Sequence, residues 1–175
     1  MPKKYVYVGR FQPIHNGHIE AIKWIAKKGD LIIAIGSSNQ PLGEHNPFTI
    51  EELVEMVQLV LQEIQISATI VKLPDFIGDD MSWIKKLLES LSLKIQDIIV
   101  CSQNSWTLSV CSKYGIATDS QPTLADGISA TKVRGAILSN QSWEHYLSPP
   151  IIKYLQKELS DGLTGVQRIK KTVTP

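Results

Sequence analysis

Short apolar runs alternate along the chain with stretches of helical period. Residues 5–8 form a β-rich run closed by Gly9, and residues 31–35 are continuously apolar, the pattern of a strand covered on both faces. Between them, residues 19–28 carry Ile19, Ile22, Ile25 and Ala26 on one side of a helix. Thr49 and Glu52 form a T-x-x-E capping signature ahead of the helical set Val54, Val57, Val60, Leu61 and Ile64. The alternation continues with strands at 69–73, 98–101 and, weakly, 116–118. Helices are predicted at 80–91, with Asp80 as a cap, at 106–114, stopped by Gly115, and at 129–138, opened by Ser129. Ser148-Pro149 starts a last long helix, Asp161-Gly162 ends it, and a basic tail follows. Strands alternating with helices in this way predict an α/β fold, a doubly wound parallel sheet. Ligands of such sheets bind beyond the carboxyl ends of the strands, where the strand order reverses. The residues just after each strand are therefore the first place to look for chemistry.

Composition narrows the possibilities. At 175 residues the expectation is one domain spanning 1–175, with a short helical and basic tail at its C-terminus. Eighteen basic residues stand against seventeen acidic ones. That balance argues against a nucleic-acid or membrane-surface partner. No apolar run reaches membrane-spanning length and no signal-peptide pattern opens the chain, so the expected location is cytoplasmic. Cys101 and Cys111 lack C-x-x-C spacing and read as reduced packing thiols.

The first strand runs into Gly9-Arg10-Phe11-Gln12-Pro13-Ile14-His15-Asn16-Gly17-His18. A helix beginning near Asn16 or Gly17 puts His15 and His18 at its first turn, where unpaired N–H groups and the helix dipole favour an anion. Gly9 and Gly17 allow close backbone approach, and Arg10 adds a planar cation suited to phosphate oxygens. The combination is a phosphate site with donors for developing negative charge. Two surface histidines or a metal pair are the rival readings, but no third metal ligand lies nearby in sequence. Near the other end, Ile128-Ser129-Ala130-Thr131-Lys132-Val133-Arg134 offers a second helix start. Ser129 is the cap, Thr131 and Lys132 fall in the first turn, and Arg134 can return to an anion there. This second start suits the β- and γ-phosphates of a nucleotide, leaving the α-phosphate to the histidines.

Gly9 to His18 resembles the G-x-F-x-P-x-H-x-G-H signature of the HxGH nucleotidyltransferases. In its Gly-Arg-Phe-Gln-Pro form it is similar to the archaeal type of nicotinamide mononucleotide (NMN) adenylyltransferase. Ile128 to Arg134 resembles the I-S-x-T-x-x-R triphosphate motif of the same superfamily, and the likeness covers nearly the whole chain. It implies a Rossmann-like nucleotidyltransferase fold and the reaction of ATP with NMN to give NAD and pyrophosphate. His15, His18, Arg10 and Arg134 are then the catalytic set. ATP is held by Gly9, Arg10, Phe11, Gly17, His18, Gly36, Asn104, Ser129, Thr131 and Arg134. Asp75 and Trp83 resemble the family's acceptor residues, with the indole stacking on the nicotinamide ring, although on pattern alone Trp83 is equally a core aromatic. Magnesium is expected to arrive on the ATP phosphates with water ligands, so no protein metal site is expected. The resemblance also implies a homo-oligomer, often a hexamer.

Leu53, Gln103 and Ala130 depart from the family pattern, and the stretch from Asp75 to Trp83 is one residue longer than usual. These differences fall mostly on the acceptor side. The rival acceptors are nicotinate mononucleotide, FMN and phosphopantetheine, and a nucleotide sensor without turnover is the further alternative. Asp80, one helical turn before Trp83, is expected to reach the substituent of the pyridine ring. An ionised carboxylate accepts but cannot donate hydrogen bonds, so it would accept from an amide and repel nicotinate. The expectation is a preference for NMN of about 100-fold in kcat/KM, roughly 2.7 kcal/mol.

Overall fold

The computed structural model describes residues 2–120, 127–161 and 165–171. In chain order the elements are β1 (Lys4–Gly9), α1 (Asn16–Ala26), β2 (Leu31–Ile35), α2 (Ile50–Glu63), β3 (Ala68–Lys72), α3 (Asp80–Leu91), β4 (Ile98–Cys101), α4 (Ser105–Lys113), β5 (Ala117–Asp119), α5 (Ala130–Leu138), α6 (Pro149–Asp161) and α7 (Gly165–Lys171). They pack as two compact units, each assembled from separate stretches of sequence. The first holds residues 1–10, 21–40 and 66–123, and the second holds 11–20, 41–65 and 124–175.

In the first unit the strands form one parallel sheet in the order β3-β2-β1-β4-β5. Val6 pairs in register with Ile32 on one side and Val100 on the other. Strand side chains alternate between faces. Val6, Val8, Ile32, Ala34, Ile98 and Val100 accordingly point to one side, where they bury Trp83, Ile84 and Leu87 of α3 and Val110 and Cys111 of α4. The strand order reverses between β1 and β4, the point at which parallel sheets open a ligand crevice at their carboxyl edge. Ser102 bridges that point. Its hydroxyl donates to the Val8 carbonyl at 3.1 Å and accepts from the Asn104 N–H at 3.1 Å.

The second unit is helical. In α2 the residues Leu53, Met56, Val57, Val60 and Leu61 are buried, the spacing of one helix face. The capping box forms as the sequence implies: Thr49 Oγ1 accepts from Glu52 N, and the Glu52 carboxylate accepts from Thr49 N. Helix α2 packs on α6, and α7 packs on α5 and α6. Leu53, singled out in the sequence as a departure from the family pattern, belongs to this buried face at 2 % exposure.

The basic tail folds into α7, and two contacts explain why. Arg168 donates to the Pro47 carbonyl and to the Glu52 carboxylate, the same carboxylate that caps α2. Gly165 lies so close to Phe48 that any Cβ there would collide with the ring. One other boundary differs from expectation: Asp79, not Asp80, caps α3, its carboxylate accepting from Ser82 N at 3.0 Å. Helix α1 starts at Asn16, as the histidine turn implies, with the His15 carbonyl accepting from His18 N and Ile19 N.

Candidate active site

Strand β1 ends at Gly9, and the chain passes through exposed Arg10 into the histidine turn. That turn belongs to the second unit, as do α5 and its start. Phe11 adopts a left-handed φ of 54° and is almost wholly buried. For a bulky residue this conformation is costly and persists only where packing holds it. Its ring lies 4.8 Å from that of His18. Gln12, also buried, clamps Phe48 from both sides: Nε2 donates to the Phe48 carbonyl and Oε1 accepts from Phe48 N, each at 3.0 Å. The Gln12 carbonyl accepts from Arg134 Nη1 at 2.7 Å, and Arg134 Nη2 reaches Thr131 Oγ1 at 3.4 Å. The start of α5 is thereby tied to the histidine turn by a guanidinium that is 7 % exposed.

The two imidazoles stack with centroids 3.7 Å apart and planes 25° from parallel. His18 Nδ1 accepts a hydrogen bond from the His15 backbone N–H at 3.2 Å. This bond fixes the tautomer, because Nδ1 must be unprotonated and Nε2 carries the hydrogen. His15 is 4 % exposed, and its Nδ1 is buried with no hydrogen-bond partner among the described residues. Burial disfavours the imidazolium of both rings. It pushes the His15 pKa from 6.5 down to about 4, against a smaller opposing effect of a backbone hydrogen bond. His18 is also held well below its ordinary value, first by burial and then by repulsion from His15. Both are therefore neutral at pH 7 and offer N–H donors without a fixed charge at a helix start.

The shift has a consequence for stability. Above pH 6.5 neither the folded nor the unfolded chain protonates His15. Between 6.5 and about 4 the unfolded chain takes up the proton and the folded one does not, so stability falls as pH falls through that window. Full linkage is worth up to about 3 kcal/mol. Urea unfolding at pH 7.0 and 4.5 is expected to show a smaller loss in His15→Gln than in the wild type, and equal losses would refute the depressed pKa.

At the second helix start, Ser129 Oγ accepts from Lys132 N at 3.2 Å, as its role of cap requires. Thr131 and Lys132 are exposed in the first turn. Buried Gly17 lies in the first turn of α1.

The remaining sequence-derived residues belong to the first unit. Gly36 follows β2, and its N–H donates to the Gly9 carbonyl at 2.8 Å. A Cβ at Gly36 would meet only that carbonyl, at an ordinary 3.6 Å, so packing does not by itself demand a glycine there. Asn104 is exposed and caps α4 through Thr107 N. Gln103 beside it is exposed. Asp75 is held by Asn39, whose side-chain amide donates to the Asp75 carbonyl at 3.0 Å and accepts from Asp75 N at 2.8 Å. Asp80 pairs with Lys113 at 3.1 Å. Trp83 is only 2 % exposed, and its ring meets that of Trp106 edge-on at 5.3 Å.

Gln12, Asn39, Ser102 and Trp106 are the residues that pattern reading passed over. The first three each act through a pair of backbone contacts that no spacing in the sequence announces. Trp106 carries a signal, an aromatic two residues after a helix cap at a strand's carboxyl end. Cys101 and Cys111 are free and buried, and burial pushes both thiols up to about 12, so they are inert packing groups. Among the described residues no cluster of three or more His, Cys, Asp or Glu is placed to hold a metal ion. None of the described helices is long and apolar enough to cross a membrane.

A parallel sheet whose first strand feeds a histidine-bearing helix start defines an α/β protein of the nucleotidyltransferase type. Residues 6–136 match the cytidylyltransferase-like family, and the chain belongs to that family. The nicotinamide-nucleotide adenylyltransferase of Thermococcus onnurineus is 31 % identical over 178 residues, covering 99 % of this chain and 90 % of that protein. The enzyme of the same name from Thermococcus sibiricus is 32 % identical, covering 97 % and 89 %. The fold also matches a bifunctional NMN adenylyltransferase/ADP-ribose pyrophosphatase from Francisella tularensis, solved with AMP and a manganese ion. That match has a TM-score of 0.82 at 21 % identity and covers 98 % of this chain but only 52 % of the other, so it speaks for the fold alone.

Proposed function

We propose that this chain transfers the adenylyl group of ATP to NMN, giving NAD and pyrophosphate. The observation that carries the reading is the stacked, neutral histidine pair at the start of α1, with the tautomer of His18 fixed by the His15 N–H. The acceptor phosphate is already an anion, so it attacks the α-phosphorus in line without an enzyme nucleophile. Catalysis is then positioning plus stabilisation of charge. His18 Nε2–H and His15 donate to the α-phosphate oxygens as charge grows there. Arg10, Ser129, Thr131 and Arg134 hold the polyphosphate, with Phe11, Gly9, Gly17, Gly36 and Asn104 framing the nucleotide. Magnesium enters as part of the ATP complex that is the substrate, ligated by phosphate oxygens and water. The names of the archaeal relatives, above 30 % identity over nearly the full chain, support the same acceptor. In this reading the enzyme is a cytoplasmic homo-oligomer.

Incubation with ATP, magnesium and a panel of NMN, nicotinate mononucleotide, FMN and phosphopantetheine, with product masses recorded, tests the reading. NAD is the expected product, and no adenylylated product from any acceptor would refute it.

The ion pair from Lys113 changes the expected degree of discrimination. Its ammonium compensates the Asp80 charge that would otherwise repel nicotinate. The preference for NMN over nicotinate mononucleotide is therefore expected at about tenfold rather than 100-fold, in keeping with the small worth of exposed pairs. Lys113→Ala should widen it. A gap that stays constant, measured as the ratio of kcat/KM values, would separate Asp80 from acceptor choice.

A further inference from the structure

Helix α7 lies at the far end of the chain from the histidine turn, yet both belong to the second unit. Its apolar side chains Val166 and Ile169 are buried, and the helix packs on α5 and α6. Its remaining contacts converge on residues 47–49. Arg168 Nε donates to the Pro47 carbonyl, and Nη2 donates to the Glu52 carboxylate at 2.7 Å. That carboxylate also accepts from Thr49 N at the start of α2. Gly165 leaves room for the Phe48 ring, with which any Cβ there would collide. One turn of α7 thus holds three consecutive residues: Pro47 by its carbonyl, Phe48 by its ring and Thr49 by the shared carboxylate.

Phe48 passes this hold on to the histidine turn. Its N–H and carbonyl are both engaged by the Gln12 side chain, each at 3.0 Å. Gln12 follows Phe11, whose left-handed φ of 54° is costly for a bulky residue and persists only where the surroundings impose it. The turn therefore depends on bracing from outside itself. Three residues beyond Gln12 stands His15, whose N–H fixes the tautomer of His18. Donors to developing charge act only if they are already in place when the reaction begins.

We infer that Arg168 is a positioning residue for adenylyl transfer: through Phe48 and Gln12 it braces the turn that presents His15 and His18. The inference rests on the adenylyl-transfer reading for the effect on turnover, and on the contacts alone for the effect on the turn. If Arg168 only tied down the end of the chain, its loss would cost stability and leave turnover alone.

Arg168→Ala and Gly165→Ala break different contacts to the same three residues. Both are compared with the wild type below their unfolding midpoints, by steady-state kinetics with ATP and NMN and by native-state amide exchange followed by NMR. Each is expected to lower kcat by about tenfold or more, since a misplacement of about 1 Å caused far from the chemistry can cost about 100-fold. KM for ATP and for NMN should stay within about threefold, because ground-state binding draws on many other contacts. Arg168→Lys keeps a charge facing Glu52 but not the planar fork that also serves Pro47, and should recover part of kcat. The Phe48 and His15 amides, which donate to Gln12 Oε1 and His18 Nδ1, should exchange about tenfold faster in both alanine variants. That rise is read relative to Val100 in β4, whose exchange reports any general loss of stability. A kcat within about twofold of wild type in both variants, a change confined to KM, or Phe48 and His15 amides no faster relative to Val100 would overturn the inference. A wild type that forms no NAD would refute adenylyl transfer itself, and the brace on the turn would then stand or fall on exchange at Phe48 and His15.

Discussion

His18→Ala is expected to lower kcat by about 100-fold or more, the scale for losing one preorganised donor to developing charge, while ATP affinity changes only a few-fold. The asymmetry follows from the geometry of the ring. His18 Nδ1 is committed to the His15 N–H, so the imidazole cannot rotate or exchange tautomers without breaking that bond. In the proposed reaction its Nε2–H is in place before substrate arrives and gains most when charge accumulates on the α-phosphate. Ground-state binding draws on many other contacts and gains little from it. Burial keeps the ring neutral, so no permanent charge adds to ATP affinity. Stopped-flow or steady-state kcat, with ATP affinity measured by equilibrium titration, separates the two effects. A kcat within a few-fold of wild type would remove His18 from the chemistry. His18→Asn provides the control for fold, since a side chain of that length can keep an acceptor near the His15 N–H while displacing the donor.

Much of this was legible in the sequence, for reasons that can be located. Strands β2 and β4 were visible because each is a short apolar run, and β2 is buried at every position, whereas β5, Ala-Thr-Asp, gave only a weak signal. Helix α2 declared itself through Thr49 and Glu52, which cap it as written. The histidine turn and the Ser129 cap were readable because their chemistry is local, a few residues at a helix start. What stayed hidden depends on contacts between distant positions. Gln12 meets Phe48, Asn39 meets Asp75, and Arg168 meets Glu52, and none of these pairs shares a sequence period. The tail was readable as helical and basic, but what it packs against was not, because the partner of Arg168 lies more than a hundred residues away, on α2. Asp79 and Asp80 are adjacent carboxylates at one helix start, and only backbone geometry decides that the first caps while the second turns to Lys113.

Arg134→Ala is expected to damage both ATP use and stability. The guanidinium is 7 % exposed and donates to the Gln12 carbonyl at 2.7 Å, so its removal leaves a buried acceptor unpaired and frees the histidine turn from α5. Losing a hydrogen bond from a buried charged group costs about 1.5–3 kcal/mol, and unfolding in urea should register a loss of that size. The same residue reaches Thr131 Oγ1 in the first turn of α5, where the triphosphate is proposed to sit. Both the positive charge and the alignment of Thr131 are lost together, and kcat/KM for ATP should fall about 100-fold, equivalent to roughly 2.7 kcal/mol. Arg134→Lys distinguishes charge from geometry. A lysine keeps the charge but not the planar fork that serves Gln12 and Thr131 at once. It should therefore recover part of the ATP affinity and little of the stability. Arg134→Met, which keeps volume without charge, should lose the ATP affinity that lysine recovers. If all three variants remain fully stable and retain the wild-type KM for ATP, Arg134 neither braces the histidine turn nor binds the triphosphate.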